Sequence, residues 1–228
     1  MRLERVAILA PDFAAEREAM VDRQLRRRGI NDQHILEAFR AVPREAFVSA
    51  GLAHLAYGDH PLPIEAEQTI SQPYIVALMI QAAGIHAGAR VLEVGAGSGY
   101  AAAVISRIAG RVVGVERQHA LVEIARNRMR RLGYDNVEIV EGDGTRGWPG
   151  GAPYDAILAA ASGSHVPQPL IDQLAPAGAM VMPLGNPDGV QKLVKVARRE
   201  DGSIQQSDLG AVRFVPLIGE EGWSDDRS

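Results

Sequence analysis

Cysteine is absent from this chain of 228 residues. The absence excludes disulfide bonds, thiolate metal sites and a cysteine nucleophile. Long apolar runs are also missing: none approaches the roughly 20 residues of a membrane-spanning helix, and residues 6–10 (VAILA) are too short for the core of a signal peptide. The six histidines show no metal-ligand spacing, so we expect no metal site. These absences favour a cytoplasmic protein.

Basic charge is scarce as well. Lys and Arg number 24 against 28 Asp and Glu, which gives a net charge of -4 and a pI near 5.9. This balance argues against nucleic acid as the main partner. The one basic run, Arg26 to Arg28 preceded by Arg23, ends a predicted helix before Gly29, where cations complement the helix dipole and point to water. Hydrophobic residues at 46% and charged residues at 23% are ordinary for a globular protein.

A glycine-rich turn is the most informative feature that is present. The sequence RVLEVGAGSGY, residues 90–100, predicts a buried strand, a turn with glycine at Gly95, Gly97 and Gly99, and the start of a helix. A dinucleotide site would place the last glycine three residues after the second. Here it follows after two, with Glu93 before the turn, which is the arrangement of Rossmann-like S-adenosylmethionine-dependent methyltransferases. Glycines also form ordinary turns, so the motif alone leaves a purely structural interpretation open.

Two further acidic residues follow predicted strands. The strand over residues 111–116 ends in Glu116, which lies 19 residues after Gly97, near the roughly 20-residue offset of a ribose-binding carboxylate. The strand over residues 137–140 leads to Asp143, which is placed to accept a hydrogen bond from an adenine amino group. Each acid alone fits a loop or helix cap. Three features in register at successive strand ends predict an S-adenosylmethionine site.

The rest of the chain divides around this core. We expect an N-terminal helical and loop extension over residues 1–88 and a catalytic core over residues 89–223, within one structural domain. Alternating strands and helices predict a doubly wound α/β sheet. Helices are predicted over 14–28, 31–42 (capped by Asn31 or Asp32), 74–83, 100–108 and 119–132, further strands over 154–161, 179–184, 191–199 and 211–217, and disorder over 224–228.

The segment QTISQPY, residues 68–74, bears on the methyl acceptor. Ser71 precedes Pro73 and an apolar predicted helix, a pattern that favours Ser71 as a helix N-cap. A hydroxyl beside exposed N–H groups at a helix start also suits a carboxylate ligand. The two roles are compatible, and the pattern alone does not choose between them.

The chain resembles the protein-L-isoaspartate O-methyltransferase family over residues 20–217. QTISQP is highly specific to that family, whereas the glycine motif is shared by many methyltransferases. The matching segments are MVDRQLRRRGI (20–30), VPREAFV (42–48), AYGDHPLPI (56–64), QTISQPYIVALM (68–79), VLEVGAGSGY (91–100), EGDGTRGWP (141–149), APYDAI (152–157) and VRFVPLIG (212–219). The chain departs from the family at Ala66 and Glu67, which replace a glycine-rich pair.

The resemblance implies a Rossmann-like class I methyltransferase fold with N-terminal helices and modified C-terminal strands. It implies methyl esterification of the free α-carboxylate of L-isoaspartyl residues, and more weakly of D-aspartyl residues, in damaged proteins. We also expect the protein to be a monomer. Ser71 would be the active-site serine and would also bind substrate, together with Val212, Val215, Pro216 and Leu217. The candidate cofactor-binding residues are Thr69, Ile70, Glu93, Gly95, Gly97, Gly99, Glu116, Arg117, Asp143 and Gly144.

Two alternatives stay open. A class I methyltransferase could act on another acceptor, such as a peptide natural product or RNA, although residues 23–28 are the only support for this in the sequence. A nucleotide- or NAD-binding protein without methyl transfer is the second alternative, and the glycine spacing disfavours it.

Overall fold

A seven-stranded mixed sheet forms the centre of the protein, seen in a computed structural model that describes residues 12–225. The strands lie in the order β5-β4-β3-β6-β7-β8-β9; the first five are mutually parallel, and β8 and β9 are antiparallel to their neighbours. The bounds are β3 Arg90–Val94, β4 Arg111–Glu116, β5 Val137–Glu141, β6 Tyr154–Ala159, β7 Leu174–Leu184, β8 Gln191–Arg198 and β9 Ile204–Val212. A separate hairpin pairs β1 (Leu62–Pro63) with β2 (Thr69–Ile70).

Helices cover the sheet. They are α1 Phe13–Met20, α2 Gln33–Ala41, α3 Pro73–Ala83, α4 Tyr100–Ser106, α5 His119–Leu132 and α6 Gln168–Asp172. The predicted bounds of α5 are confirmed: Leu121, Ala125 and Met129 form its buried face, and Gly133 ends it at a φ of 72°. The apolar strands β3 and β4 are buried on both faces, as expected for the centre of a parallel sheet.

The N-terminal helices begin and end close to where the sequence predicts. The carboxylate of Asp32 caps α2 by accepting the N–H groups of His34 and Ile35, which confirms one of the two predicted caps. The segment predicted as a helix over 14–28 is helical throughout, but the type of helix changes along it. After α1 the chain makes a wider π-helical turn and then a 3₁₀ turn, which ends at Gly29 with a φ of 93°.

The N-terminal region packs on the helix that follows the glycine turn. Phe39 and Phe47 contact the ring of Tyr100 edge to face, with centroids 6.2 Å and 5.5 Å apart. All three side chains are buried in one hydrophobic cluster that also reaches the sheet. This packing fixes the extension beside the first turn of α4. The division at residues 88 and 89 stays a prediction.

Two of the strands predicted in the C-terminal half need correction. Strand β7 begins at Leu174 rather than at 179, and it includes Ala177 at a φ of 63°. The last strand was predicted over 211–217 but covers Ile204–Val212. Its polar residues are exposed on an edge strand paired with β8, so their side chains carry little of the apolar signal that sequence patterns rely on.

The predicted disorder over 224–228 is wrong for Ser224 and Asp225, which are placed in a cavity wall; residues 226–228 and residues 6–10 lie outside the described part of the chain. No helix within residues 12–225 is long and apolar enough to cross a membrane.

Candidate active site

A cavity of about 560 Å³ opens at the carboxyl ends of β3, β4 and β6. This is the edge at which open α/β sheets bind ligands, and the volume suits a ligand of nucleoside size. The glycine turn, the hairpin that precedes α3 and the C-terminal segment all contribute to its wall. Among the predicted site residues, the wall contains Thr69, Ile70, Ser71, Glu93, Gly95, Gly97, Glu116, Arg117, Gly144, Val215, Pro216 and Leu217.

Gly95 and Gly97 form the turn over the cavity. Their φ angles of 83° and 52° lie in the left-handed region that favours glycine. The N–H of Gly95 donates to the carbonyl of Val115, so the turn is tied to the end of β4. A side chain at Gly144 would be excluded for another reason, because its Cβ would come 2.6 Å from Val94 Cγ1.

Gly99 lies outside the cavity wall and serves helix packing. Its φ is 85°, and a Cβ there would come 2.8 Å from Met129 Cε and 3.5 Å from Ala125 Cβ. The third glycine therefore allows the start of α4 to lie close to α5. Its assignment as a cofactor contact stays a prediction, and its position favours the packing role.

Glu116 lies in the cavity wall at the end of β4. Its carboxylate accepts the N–H of Gly97 on Oε2 and the N–H of Gln118 on Oε1, both at 2.9 Å. Each oxygen of an ionised carboxylate has a second lone pair, so the residue can still accept hydrogen bonds from a ribose diol.

Glu93 is 2% exposed, and its Oε2 has no hydrogen-bond partner among residues 12–225. Burial and the nearby charge of Glu116 raise the pKa of Glu93 to about 8, against a smaller lowering by the N–H of Ala102. A buried carboxyl group with a free oxygen in a cavity wall is an acceptor for a cationic ligand group.

Asp143 is held by the C-terminal segment, residues 218–225. Its Oδ2 accepts the N–H of Glu220 at 2.8 Å, and its Oδ1 accepts both the N–H and the hydroxyl of Thr145. These hydrogen bonds help to lower the pKa of Asp143, against the opposing effect of partial burial. Asp143 is outside the cavity wall, whereas its neighbour Gly144 is part of it. An adenine contact of Asp143 stays a prediction.

The C-terminal segment is the part of the wall that sequence reasoning missed. Trp223, Ser224 and Asp225 line the cavity. The indole of Trp223 donates to the carbonyl of Ser162 at 2.9 Å, and Asp225 pairs with Arg117 at 2.6 Å. The single aromatic residue within the polar sequence EEGWSDD is the signal that could have identified this contact.

Ser71 follows β2 directly and lies in the cavity wall. It is not the N-cap of α3: Gln72 holds that position, with no side-chain hydrogen bond to the helix within the described chain, and Pro73 begins the helix. The Ser71 hydroxyl has no hydrogen-bond partner among residues 12–225. The N-cap interpretation is therefore wrong, and the hydroxyl is available to a ligand.

The predicted peptide-binding segment is only partly in the wall. Val215, Pro216 and Leu217 line the cavity, whereas Val212, the last residue of β9, does not. The segment is anchored to the loop after β6, because Ser162 donates its N–H to Val215 and accepts that of Leu217, both at 2.8 Å. Val212 as a substrate contact stays a prediction.

These features fit S-adenosylmethionine. The unpartnered oxygen of Glu93 suits a cationic ligand group, the Glu116 carboxylate suits a ribose, and the glycine turn at Gly95 and Gly97 presents backbone without side chains in the cavity wall. Within residues 12–225 no group of three or more His, Asp or Glu side chains could hold a metal ion. The fold and the site define a class I S-adenosylmethionine-dependent methyltransferase.

Comparison with known proteins identifies the family. The sequence profile of the family "Protein-L-isoaspartate(D-aspartate) O-methyltransferase" matches residues 15–222. Protein-L-isoaspartate O-methyltransferase 1 of Rhodopseudomonas palustris strain HaA2 is 54% identical over 215 residues, 94% of this chain and 88% of the relative. Protein-L-isoaspartate O-methyltransferase 2 of Pelobacter propionicus is 54% identical over 207 residues, 91% and 92% of the two chains. The chain belongs to the protein-L-isoaspartate O-methyltransferase family.

Comparison with solved structures points to the same family. One titled protein-L-isoaspartate O-methyltransferase superposes with a TM-score of 0.82 at 34% identity, covering 90% of this chain and 67% of that one. A putative family member from Plasmodium falciparum, in complex with S-adenosyl-L-homocysteine, gives a TM-score of 0.76 at 27% identity, with 89% and 98% covered. The predicted fold class, cofactor and isoaspartate methyltransferase activity are thereby confirmed.

Proposed function

We propose that this chain esterifies the α-carboxylate of L-isoaspartyl residues in damaged proteins, with Ser71 orienting that carboxylate. The observation that carries the assignment is the Ser71 hydroxyl, which faces no partner among the described residues and shares one cavity with the glycine turn. A neutral hydroxyl donor can align a carboxylate without the loss of nucleophilicity that a tightly paired cation would cause.

The cavity wall suits an acceptor that needs no general base. Neither histidine nor lysine occurs among the wall residues of the described chain. A carboxylate, with a pKa near 4, is already ionised at neutral pH. The protein therefore has to position the acceptor oxygen and exclude water rather than remove a proton. When bound, S-adenosylmethionine supplies the activated methyl group.

The charged residues of the cavity wall favour different positions for S-adenosylmethionine and for the acceptor carboxylate. Glu67, Glu116, Asp188 and Asp225 outnumber Arg117 and make it predominantly acidic, which favours a cationic cofactor and disfavours an anionic acceptor. We place the acceptor beside Ser71 and the backbone of residues 215–217, none of which has a charged side chain. The methyl ester that forms is expected to close to a succinimide, whose hydrolysis partly restores normal aspartate. This sequence of steps makes the reaction a repair.

The remaining assignments extend this proposal. Thr69, Ile70, Gly95, Gly97 and Glu116 would contact the cofactor, together with Glu93, Arg117 and Gly144. Val215, Pro216 and Leu217 would receive the peptide backbone. Weaker action on D-aspartyl residues, a monomeric state and a cytoplasmic location stay predictions from the sequence.

One experiment tests the acceptor. Radiolabelled S-adenosylmethionine is offered with two peptides that differ only in an isoaspartyl or an aspartyl linkage. We expect base-labile label on the isoaspartyl peptide alone. Label on neither peptide, with transfer to RNA or to another peptide class, would instead support a methyltransferase with a different acceptor.

A further inference from the structure

Arg128 is an arginine of α5 whose side chain is buried. Its side chain is 9% exposed, whereas that of Arg126 on the same helix is 39% exposed. Burying a guanidinium is costly unless the group is paired. Arg128 has two such partners: Nη1 donates to the carbonyl of Ser98 and Nη2 to Oε1 of Glu65, each at 3.4 Å.

The two partners belong to two different segments that contribute to the wall of the cofactor cavity. Ser98 is part of the glycine turn. Glu65 is part of the Ser71 hairpin, which we define as residues 62–70, the two strands β1 and β2 with their turn. The hairpin and the glycine turn also contact each other directly, because Ile64 Cδ1 lies 3.5 Å from the position that a Cβ on Gly97 would take. Arg128 therefore clamps the hairpin onto the cofactor turn from the side of α5.

The Ser71 hairpin has little internal stability. Its strands have two residues each, and an isolated two-stranded hairpin is marginal in water. Its turn includes Ala66 and Glu67 at φ angles of 55° and 56°, a conformation that is unfavourable for residues other than glycine. The position of the hairpin must depend on contacts with the rest of the protein.

We propose that Arg128 is a positioning residue, which fixes Ser71 relative to the bound methyl donor by holding the Ser71 hairpin against the glycine turn. Ser71 follows β2 without an intervening residue, so a displacement of the hairpin moves the hydroxyl. Misplacement by about 1 Å can cost about 100-fold in rate. The inference rests on the proposed function of Ser71, and it adds a residue that is not itself part of the cavity wall.

A double-mutant cycle on Glu65→Gln and Arg128→Met tests the coupling. At saturating S-adenosylmethionine, we expect each substitution to lower kcat for an isoaspartyl peptide at least fivefold, and the double variant to be no worse than the more impaired single variant. Arg128→Lys should recover part of the loss, and Arg130→Met, an exposed site on the same helix, should have no effect. Additive losses, or an unchanged kcat in Glu65→Gln, would overturn the proposal.

Hydrogen exchange supplies a readout that needs no activity. In Glu65→Gln the amides of residues 62–70 should exchange faster, while those of α5 keep their protection. Faster exchange throughout α5 would mean general destabilisation and would count against a positioning role. A wild-type protein that does not methylate isoaspartyl peptide, but whose hairpin loosens in Glu65→Gln, would refute the proposed function and leave the clamp supported.

Discussion

The carboxylate of Glu116 accepts the N–H of Gly97 at 2.9 Å, and this hydrogen bond joins the end of β4 to the turn that follows β3. Its other oxygen accepts the N–H of Gln118 just before α5. One side chain thus shapes two neighbouring loops and still has lone pairs that can accept hydrogen bonds from a ligand. The shape of the cofactor turn depends on this acid as well as on the glycines.

Glu116→Gln should weaken binding of S-adenosyl-L-homocysteine about tenfold or more. The amide keeps one acceptor oxygen but loses the charge-assisted hydrogen bonds, each worth roughly 1.5–3 kcal/mol. Calorimetric titration measures the effect. Glu141→Gln is the matched control, because Glu141 lies opposite Glu116 at the end of β5 and pairs with His119. Equal affinities for all three proteins would remove Glu116 from the cofactor site.

Ser71→Ala should lower kcat/KM for an isoaspartyl peptide tenfold or more, because a hydrogen bond that orients the acceptor is lost. The melting temperature should not change, since Gln72 rather than Ser71 is the N-cap of α3. Loss of a true N-cap would cost about 1 kcal/mol.

Ser207→Ala, on the exposed edge strand β9, controls for the loss of a hydroxyl. Unchanged kinetics in Ser71→Ala, or a lowered melting temperature with proportionate loss of activity, would contradict the assignment.

The order of elements and much of the site could be predicted because both follow local patterns. Strand β4 and helix α5 have the bounds that periodicity and Gly133 indicate. The sequence pattern wrongly predicts Ser71 as a cap, since Ser-x-Pro before an apolar helix is a general helix-start pattern. Whether a hydroxyl bonds its own helix or faces a cavity depends on the preceding hairpin, which the local sequence does not specify.

Contacts between distant segments could not be predicted in the same way. The hydrogen bond from Glu220 to Asp143 spans 77 residues, and that from Trp223 to Ser162 spans 61. Each depends on the path of the C-terminal segment across the sheet, and the hydrophobic periodicity of the sequence does not indicate that path. Polar composition predicts disorder for Ser224 and Asp225 for the same reason, because it does not show the long-range contacts that hold them in the cavity wall.

Asp143→Ala should weaken cofactor binding more than it slows turnover at saturating cofactor. The substitution removes the acceptor of the Glu220 N–H, and residues 218–225, which include four wall residues, lose an anchor. Titration with S-adenosyl-L-homocysteine and steady-state kinetics measure the two effects. Arg146→Met, which breaks only the exposed pair with Glu220, should change neither. An unaltered affinity of Asp143→Ala for S-adenosyl-L-homocysteine would contradict the prediction.

Ala66→Gly should stabilise the protein slightly. The φ of Ala66 is 55°, which costs a residue with a Cβ roughly 1–2 kcal/mol, whereas glycine costs about 0.5–1 kcal/mol in chain entropy. The expected net gain is a few tenths of a kcal/mol to about 1 kcal/mol in urea unfolding. Ala87→Gly, in an exposed loop where the alanine φ is not positive, should lose stability instead. A loss of similar size at both positions would show that the turn at Ala66 is not strained.

Glu93→Gln should become increasingly stable relative to the wild type as the pH rises from about 4.5 to about 8. Burial and the charge of Glu116 raise the pKa of Glu93 from 4.5 to about 8 in the folded protein, so the folded state holds a proton that the unfolded state has released. Wild-type stability is therefore lost across this window, by up to about 1.4 kcal/mol per pH unit. The neutral amide has no proton to lose.

Urea unfolding at pH 5, 6, 7 and 8 measures the difference, and Glu200→Gln, at an exposed turn, should follow the wild type at every pH. A constant difference between Glu93→Gln and the wild type would mean that Glu93 is ionised in the folded protein throughout, with a charged partner supplied to its free oxygen.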